Sequence, residues 1–178
     1  LGNIQTKELD AQLLWGYPPL RAIRYLLNKM AIIKLKKNME RETEKNKVAV
    51  RRFNKEVIED GSVQSFEELM DKQFINHSAP AGMDNGPQGM IHTFNNVLRP
   101  AMPDIKVTIY EQVGEGDLVT TRKNISGTQT GMLMGIAPTG KKVSIDVIDI
   151  VRIKNGKYFE HWGINTLPSA LVQLKSTN

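Results

Sequence analysis

The chain has 178 residues, 40% of them hydrophobic and none of them cysteine; this suits one domain with a core and a cavity, and excludes a disulfide scaffold, a thiolate nucleophile and a Cys-ligated zinc. Its three His residues, at 77, 92 and 161, are too scattered to suggest a His-built metal site, and the apolar stretches are too short to span a bilayer. The net charge of +5 lies in residues 1–38, with seven basic and two acidic side chains; residues 39–178 carry seventeen of each sign and offer no basic footprint for nucleic acid.

Residues 1–38 form a basic N-terminal extension, and residues 39–178 form the main domain. Trp15-Gly16-Tyr17-Pro18-Pro19 is a break, because Pro fixes its own φ and restricts its neighbour. A helix is expected over 20–35, with Leu20, Ile23, Leu27, Met30 and Ile33 on one face. Its basic residues would allow contact with a membrane surface, but docking on protein is the simpler expectation. The apolar part of the extension has no cleavage pattern of a secretory signal, so a soluble, cytoplasmic protein is expected.

A second helix follows from Glu40 to about Asp60, with Val50, Phe53, Val57 and Ile58 at spacings of three and four. Asp60-Gly61 closes it. Ser65 with Glu68 reads as the capping box of a third, short helix. Phe74-Ile75-Asn76-His77 is a short extended piece before a Gly-rich turn. Another helix follows Gly86-Pro87 and carries Met90, Ile91, Phe94, Val97 and Leu98 on its apolar side.

Beyond Asp104 the period changes to alternation, which signals strands. Four are expected, starting at Ile105, Leu118, Val143 and Tyr158, with turns at Gly114–Asp117, Ala137–Gly140 and Lys154–Lys157. Gly127 to Gly135 reads as a bending continuation of the second strand, and 167–174 as a closing helix. Helices followed by a meander of antiparallel strands define the α+β class.

The strand from Val143 to Ile153 is apolar on both parities: Val143, Ile145, Val147 and Val151 on one, Ile148 and Ile150 on the other. A half-exposed antiparallel strand has a polar outer face, so a second cover is expected, a homodimer through the outer face of the sheet. Asp149 is the one carboxylate on the more apolar parity. Counting across the turn at 154–157 places His161 opposite it or one residue out of register. An Asp–His pair can orient an imidazole for proton transfer, or it can be a structural hydrogen bond.

Phe74, Asn76 and His77 are candidate ligand contacts beside the Gly-rich turn, with loop anchoring as the alternative. Met132 and Met134 suit an adaptable apolar wall, and Val147 shares the parity of Asp149.

At these residues the chain resembles a known family. Phe74-Ile75-Asn76-His77, Pro103-Asp104, Asp117-Leu118-Val119, Arg122, Gly127-Thr128-Gln129-Thr130-Gly131, Pro138-Thr139-Gly140-Lys141, Arg152, Gly156-Lys157 and Glu160-His161-Trp162 are similar, in that order, to SnoaL-like polyketide cyclases, also labelled ester cyclases. The resemblance runs from about residue 46 to 174. It implies the nuclear transport factor 2-like fold, a cystatin-like cone in which a curved antiparallel sheet wraps around N-terminal helices to enclose a conical cavity. It also implies intramolecular aldol chemistry on a small carbonyl or polyketide-like compound, without metal or cofactor.

The acid/base carboxylate proposed for those cyclases falls two residues after the His of the last strand, where this chain has Gly163. The resemblance aligns Asp149 with another polar position of the cyclase site. The expected function is therefore a cofactor-independent acid/base enzyme of cyclase or isomerase type, with Asp149 and His161 as catalytic residues. The alternative is a non-catalytic small-molecule-binding or dimerisation module that has lost the carboxylate at 163.

Overall fold

The computed structural model describes residues 19–176. All but the last residue of the expected Trp15–Pro19 break lies outside them. The chain divides into two compact units, Leu1–Arg41 and Glu42–Asn178, and the candidate site residues all belong to the second. Among the described residues no helix is long and apolar enough to cross a membrane.

Helix α1 (Leu20–Arg52) is continuous, without the break expected between two helices around residues 36–39. A π-helical stretch, Phe53–Glu59, continues it and buries Phe53, Val57 and Ile58 along one side. The guanidinium of Arg99 finishes this end, donating to the carbonyls of Val57, Ile58 and Glu59 at 3.1, 2.8 and 2.9 Å. Carbonyls at a helix end lack intrahelical donors, and among these the Val57 carbonyl also accepts from the Gly61 N–H at 3.2 Å.

Helix α2 is Val63–Leu69. Its cap is Ser62, not Ser65: the Ser62 hydroxyl accepts from the Ser65 N–H at 3.1 Å. Glu68, expected to close a capping box, instead pairs with Arg52 at 3.0 Å.

Strands β1 (Met70–Asn76), β2 (Lys106–Glu115), β3 (Leu118–Thr128), β4 (Lys142–Lys154) and β5 (Lys157–Asn165) form one curved sheet in the order β1-β5-β4-β3-β2. The α+β class holds, but the sheet has five strands where four were expected. The additional one, β1, runs parallel to β5, and the remaining neighbours are antiparallel. It escapes a period-two reading because only Met70 and Phe74 are buried in it, four residues apart as on a helix, and its register shifts between Met70 and Ile75.

Between β1 and β2 lies α3 (Pro87–His92), prolonged by a π-helical stretch Thr93–Leu98 and a last turn Arg99–Ala101. Helix α4 (Leu167–Lys175) closes the chain.

The second strand does not bend on through Gly135. It stops at Thr128 because the buried side chain of Gln129 takes over the role of a ladder. Its amide nitrogen donates to the carbonyls of Gly131, Ile136 and Ala137, and its oxygen accepts from the N–H and hydroxyl of Thr139. One satisfied amide thus organises a loop that would otherwise bury unpaired backbone.

The core lies between the helices and the inner face of the sheet. Phe53 stacks on Tyr158 at 4.1 Å between centroids, with Phe66 and Phe94 tilted against the same ring. β4 supplies Val143, Ile145, Val151 and Ile153 to this side, and Ile148 and Ile150 face outward.

Candidate active site

The strand parity that makes the core also carries the charges. On β3 the buried residues of this parity are Val119, Thr121, Lys123, Ile125 and Gly127; on β4 Asp149 lies between Val147 and Val151. The register sets Thr121 and Gly163 directly opposite Asp149 on its two sides. Lys123 and His161 are therefore its diagonal neighbours, within reach of long side chains. Counting from the 154–157 turn misplaces His161 because a bulge between Arg152 and Ile153 adds a residue to β5: His161 pairs with Val151. The added residue leaves Asp149 and His161 on one face.

Asp149 is 4% exposed and Lys123 is 3% exposed. The Lys123 ammonium is 2.6 Å from Asp149 Oδ2 and donates to Asn54 Oδ1 at 2.7 Å. Asn54 is itself held by donating to the Val50 carbonyl at 2.8 Å. His161 Nε2 is 3.8 Å from the same Asp149 Oδ2. Asp149 Oδ1 is buried and has no hydrogen-bond partner among the described residues.

Burial by itself would push the Asp149 carboxyl up. The charge of Lys123 and the contacts of His161 and Lys123 outweigh it and hold the group below the usual carboxylate value. Asp149 is thus an ionised acceptor at neutral pH, not the raised-pKa acid that apolar surroundings alone would make. The Tyr158 phenol nearby is pushed well above its ordinary value, first by burial and then by the Asp149 charge.

His161 is the more accessible member, with its side chain 16% exposed. Its Nδ1 is 2.9 Å from Asn76 Oδ1. Gly163 explains how the ring fits: a Cβ at that position would lie 2.9 Å from His161 Cε1 and 3.1 Å from Nε2. The missing side chain at 163 is what makes room for the imidazole.

The structure brings Asp149, His161 and Asn76 together. His77 goes elsewhere: its ring stacks on Trp162 at 4.7 Å and its Nε2 is 3.0 Å from Glu160 Oε1, residues of the parity opposite to His161. Phe74 is buried in the core. Val147 is half-buried opposite Lys123. Met132 and Met134 are exposed on the loop after β3.

Lys123 and Asn54 were missed in the sequence. The signal for Lys123 was present: it is the one cation on the apolar parity of β3, as Asp149 is the one anion on that of β4. Asn54 carries no such mark, since a single Asn on a helix reads as surface.

A curved five-stranded sheet packed against helices is the nuclear transport factor 2-like fold. Within it, the chain belongs to the SnoaL-like polyketide cyclase family, whose model matches residues 48–174. Among solved structures it is similar to TsrD from Streptomyces laurentii, 22% identical over 75% of this chain and 97% of that one, with a TM-score of 0.66. A candidate polyketide cyclase from Bacillus cereus ATCC 10987 is 27% identical over 71% and 77%, with a TM-score of 0.61. AclR from Streptomyces galilaeus, described as a candidate hydroxylase, is 21% identical over 76% and 88%, with a TM-score of 0.66. No curated protein gives a significant match.

Proposed function

We propose that this protein is a cofactor-independent acid/base enzyme of cyclase or isomerase type, acting on a small carbonyl or polyketide-like compound. One observation carries the reading: an ionised, buried carboxylate with one oxygen unpartnered stands beside an imidazole nitrogen at the inner face of the sheet. Structural ion pairs satisfy their atoms; this one leaves an acceptor unused.

In this reading His161 Nε2 takes a proton from a carbon flanked by carbonyls, and the C–H electron pair moves into an enolate. The enolate carbon bonds to a second carbonyl carbon of the same molecule. The alkoxide so formed recovers the proton from Nε2, so that nothing is gained or lost overall. Asp149 is the counter-ion of the imidazolium, and Lys123 keeps Asp149 ionised throughout.

Asp149→Asn tests this: turnover of 1,3-dicarbonyl substrates should fall by about 10²–10⁴-fold with ligand affinity retained. Unchanged turnover removes Asp149 from the reaction. The second reading, a binding module without turnover, is favoured by Gly163 at the cyclase carboxylate position; it requires ligand binding with no conversion across a substrate panel.

We further propose a homodimer through the outer sheet face. Val113, Ile148, Ile150 and Ile164 are exposed there, and Val113, Leu118 and Ile150 line a cleft of about 320 Å³. Burying such a patch stabilises association. Sedimentation equilibrium at the mass of one chain would overturn it.

A further inference from the structure

For His161 to act as the base through Nε2, that nitrogen must be bare in the neutral ring. We infer that Asn76 decides it: the amide of Asn76 locks neutral His161 in the Nδ1–H tautomer, and Nε2 is the proton acceptor. Asn76 is then a positioning residue, not a ligand contact. The inference rests on the proposed role of His161, and its test is independent of that role.

A backbone N–H just beyond β1 fixes the orientation of the Asn76 amide. Ser78 N is 3.0 Å from the side-chain oxygen of Asn76. A backbone N–H can only donate, so the amide atom that meets it must be the oxygen; the flipped amide would set donor against donor. That same oxygen is 2.9 Å from His161 Nδ1. It can only accept, so Nδ1 must carry the hydrogen. A neutral imidazole has one N–H, and Nε2 is therefore bare.

Neither end of this relay is free to swing. Asn76 N–H donates to the Asn85 carbonyl at 2.7 Å, and His77 N–H donates to the His161 carbonyl at 2.8 Å. The Ser78 hydroxyl accepts from the N–H of Gly163 at 2.8 Å. The last two bonds tie the chain just after β1 to β5 at His161 and Gly163, so the amide and the ring are held to the same frame.

The bare nitrogen is also the one beside Gly163 and Asp149. Nε2 lies over the space that a Cβ of Gly163 would fill, and it is the nitrogen nearer Asp149. A proton taken up there faces the carboxylate, while Nδ1–H stays on Asn76, so protonation needs no movement of the ring. The opposite tautomer would set the Nδ1 lone pair against the Asn76 oxygen.

Imidazole ¹⁵N spectra of the full chain test this without any substrate. They would be recorded at a pH high enough that the ring signals no longer move. With three His residues, the His77→Asn and His92→Asn variants assign the spectrum. The expected result is a protonated Nδ1 and a bare Nε2 for His161 in the parent chain. Asn76→Ala should shift the tautomer ratio several-fold toward Nε2–H. Asn76→Asp, which keeps an acceptor, should hold the Nδ1–H form, and it replaces Asn76→Ala if that variant does not fold. A parent spectrum dominated by Nε2–H, or a ratio unmoved in Asn76→Ala, overturns the inference. A chain with the Nδ1–H tautomer but no turnover would refute the proposed reaction and leave this inference standing.

Discussion

The two faces of the β4–β5 hairpin carry charge in opposite ways. On the outer face Arg152 donates to Glu160 at 2.7 Å and to both oxygens of Asp117 at 2.9 and 2.7 Å, while His77 bonds the other Glu160 oxygen and lies flat on Trp162. Glu160 is held below its ordinary value by His77 and Arg152, and Arg152 is raised by Asp117 and Glu160. These groups answer one another next to solvent, where ion pairs contribute little. On the inner face Asp149, three residues before Arg152 on β4, and Lys123 on the neighbouring β3 are almost wholly buried, and one carboxylate oxygen is left over. The satisfied cluster fastens the hairpin, and the unsatisfied one retains capacity to act on something else.

That contrast can be broken most sharply at Lys123. Lys123→Met leaves Asp149 buried without its cation, which should cost about 3–5 kcal/mol of stability, while Lys123→Met with Asp149→Leu should recover most of the loss. The sign with pH follows from the carboxyl: its value is depressed in the folded chain, so its contribution is present above the ordinary carboxylate range and is lost as pH falls through the folded value. The deficit of Lys123→Met in urea unfolding should accordingly be largest at neutral pH and shrink in acid. The comparable outer-face truncation, Arg152→Met, should shift unfolding only marginally; an equal loss at both sites would erase the distinction between the faces.

Gly163 gives an intermediate effect. Gly163→Asp restores the carboxylate that the cyclase resemblance places there, but its Cβ meets the ring edge of His161. Stability should fall by about 1–3 kcal/mol, as for other overpacked sites, and His161 should be displaced from Asp149. A variant as stable as the parent, with higher turnover, would mean that the ring yields easily and that the missing carboxylate matters more than the room left for the imidazole.

Much of this arrangement was legible in the sequence. The type I′ turn at Asn155-Gly156, with φ of 52° and 76°, the alternation of β4 and the lone Asp149 on its apolar parity all read directly. The Asp149–His161 neighbourhood followed from counting across that turn, and only the bulge put the count wrong. What stayed hidden depends on partners remote in sequence. β1 is a strand because β5 lies beside it, not because of its own pattern. Ser62 caps α2 although Ser65 with Glu68 makes the better local motif, because Glu68 finds Arg52. Asn76 and His77 are consecutive and both polar, yet one meets His161 and the other Trp162. Adjacent residues of an extended segment project to opposite sides, and the sequence does not say which side is the site.

In the proposed reaction the imidazole of His161, backed by Asp149, moves a proton on and off carbon. Hydrogen–deuterium exchange measures that step alone, before any ring closes. Simple 1,3-diketones and β-keto esters would be incubated in D₂O with the parent chain and with His161→Gln. Exchange at the carbon between the carbonyls should be faster than in buffer for at least one class, falling to the buffer rate in His161→Gln. Exchange at the buffer rate for every compound, or equal acceleration by both proteins, would contradict it.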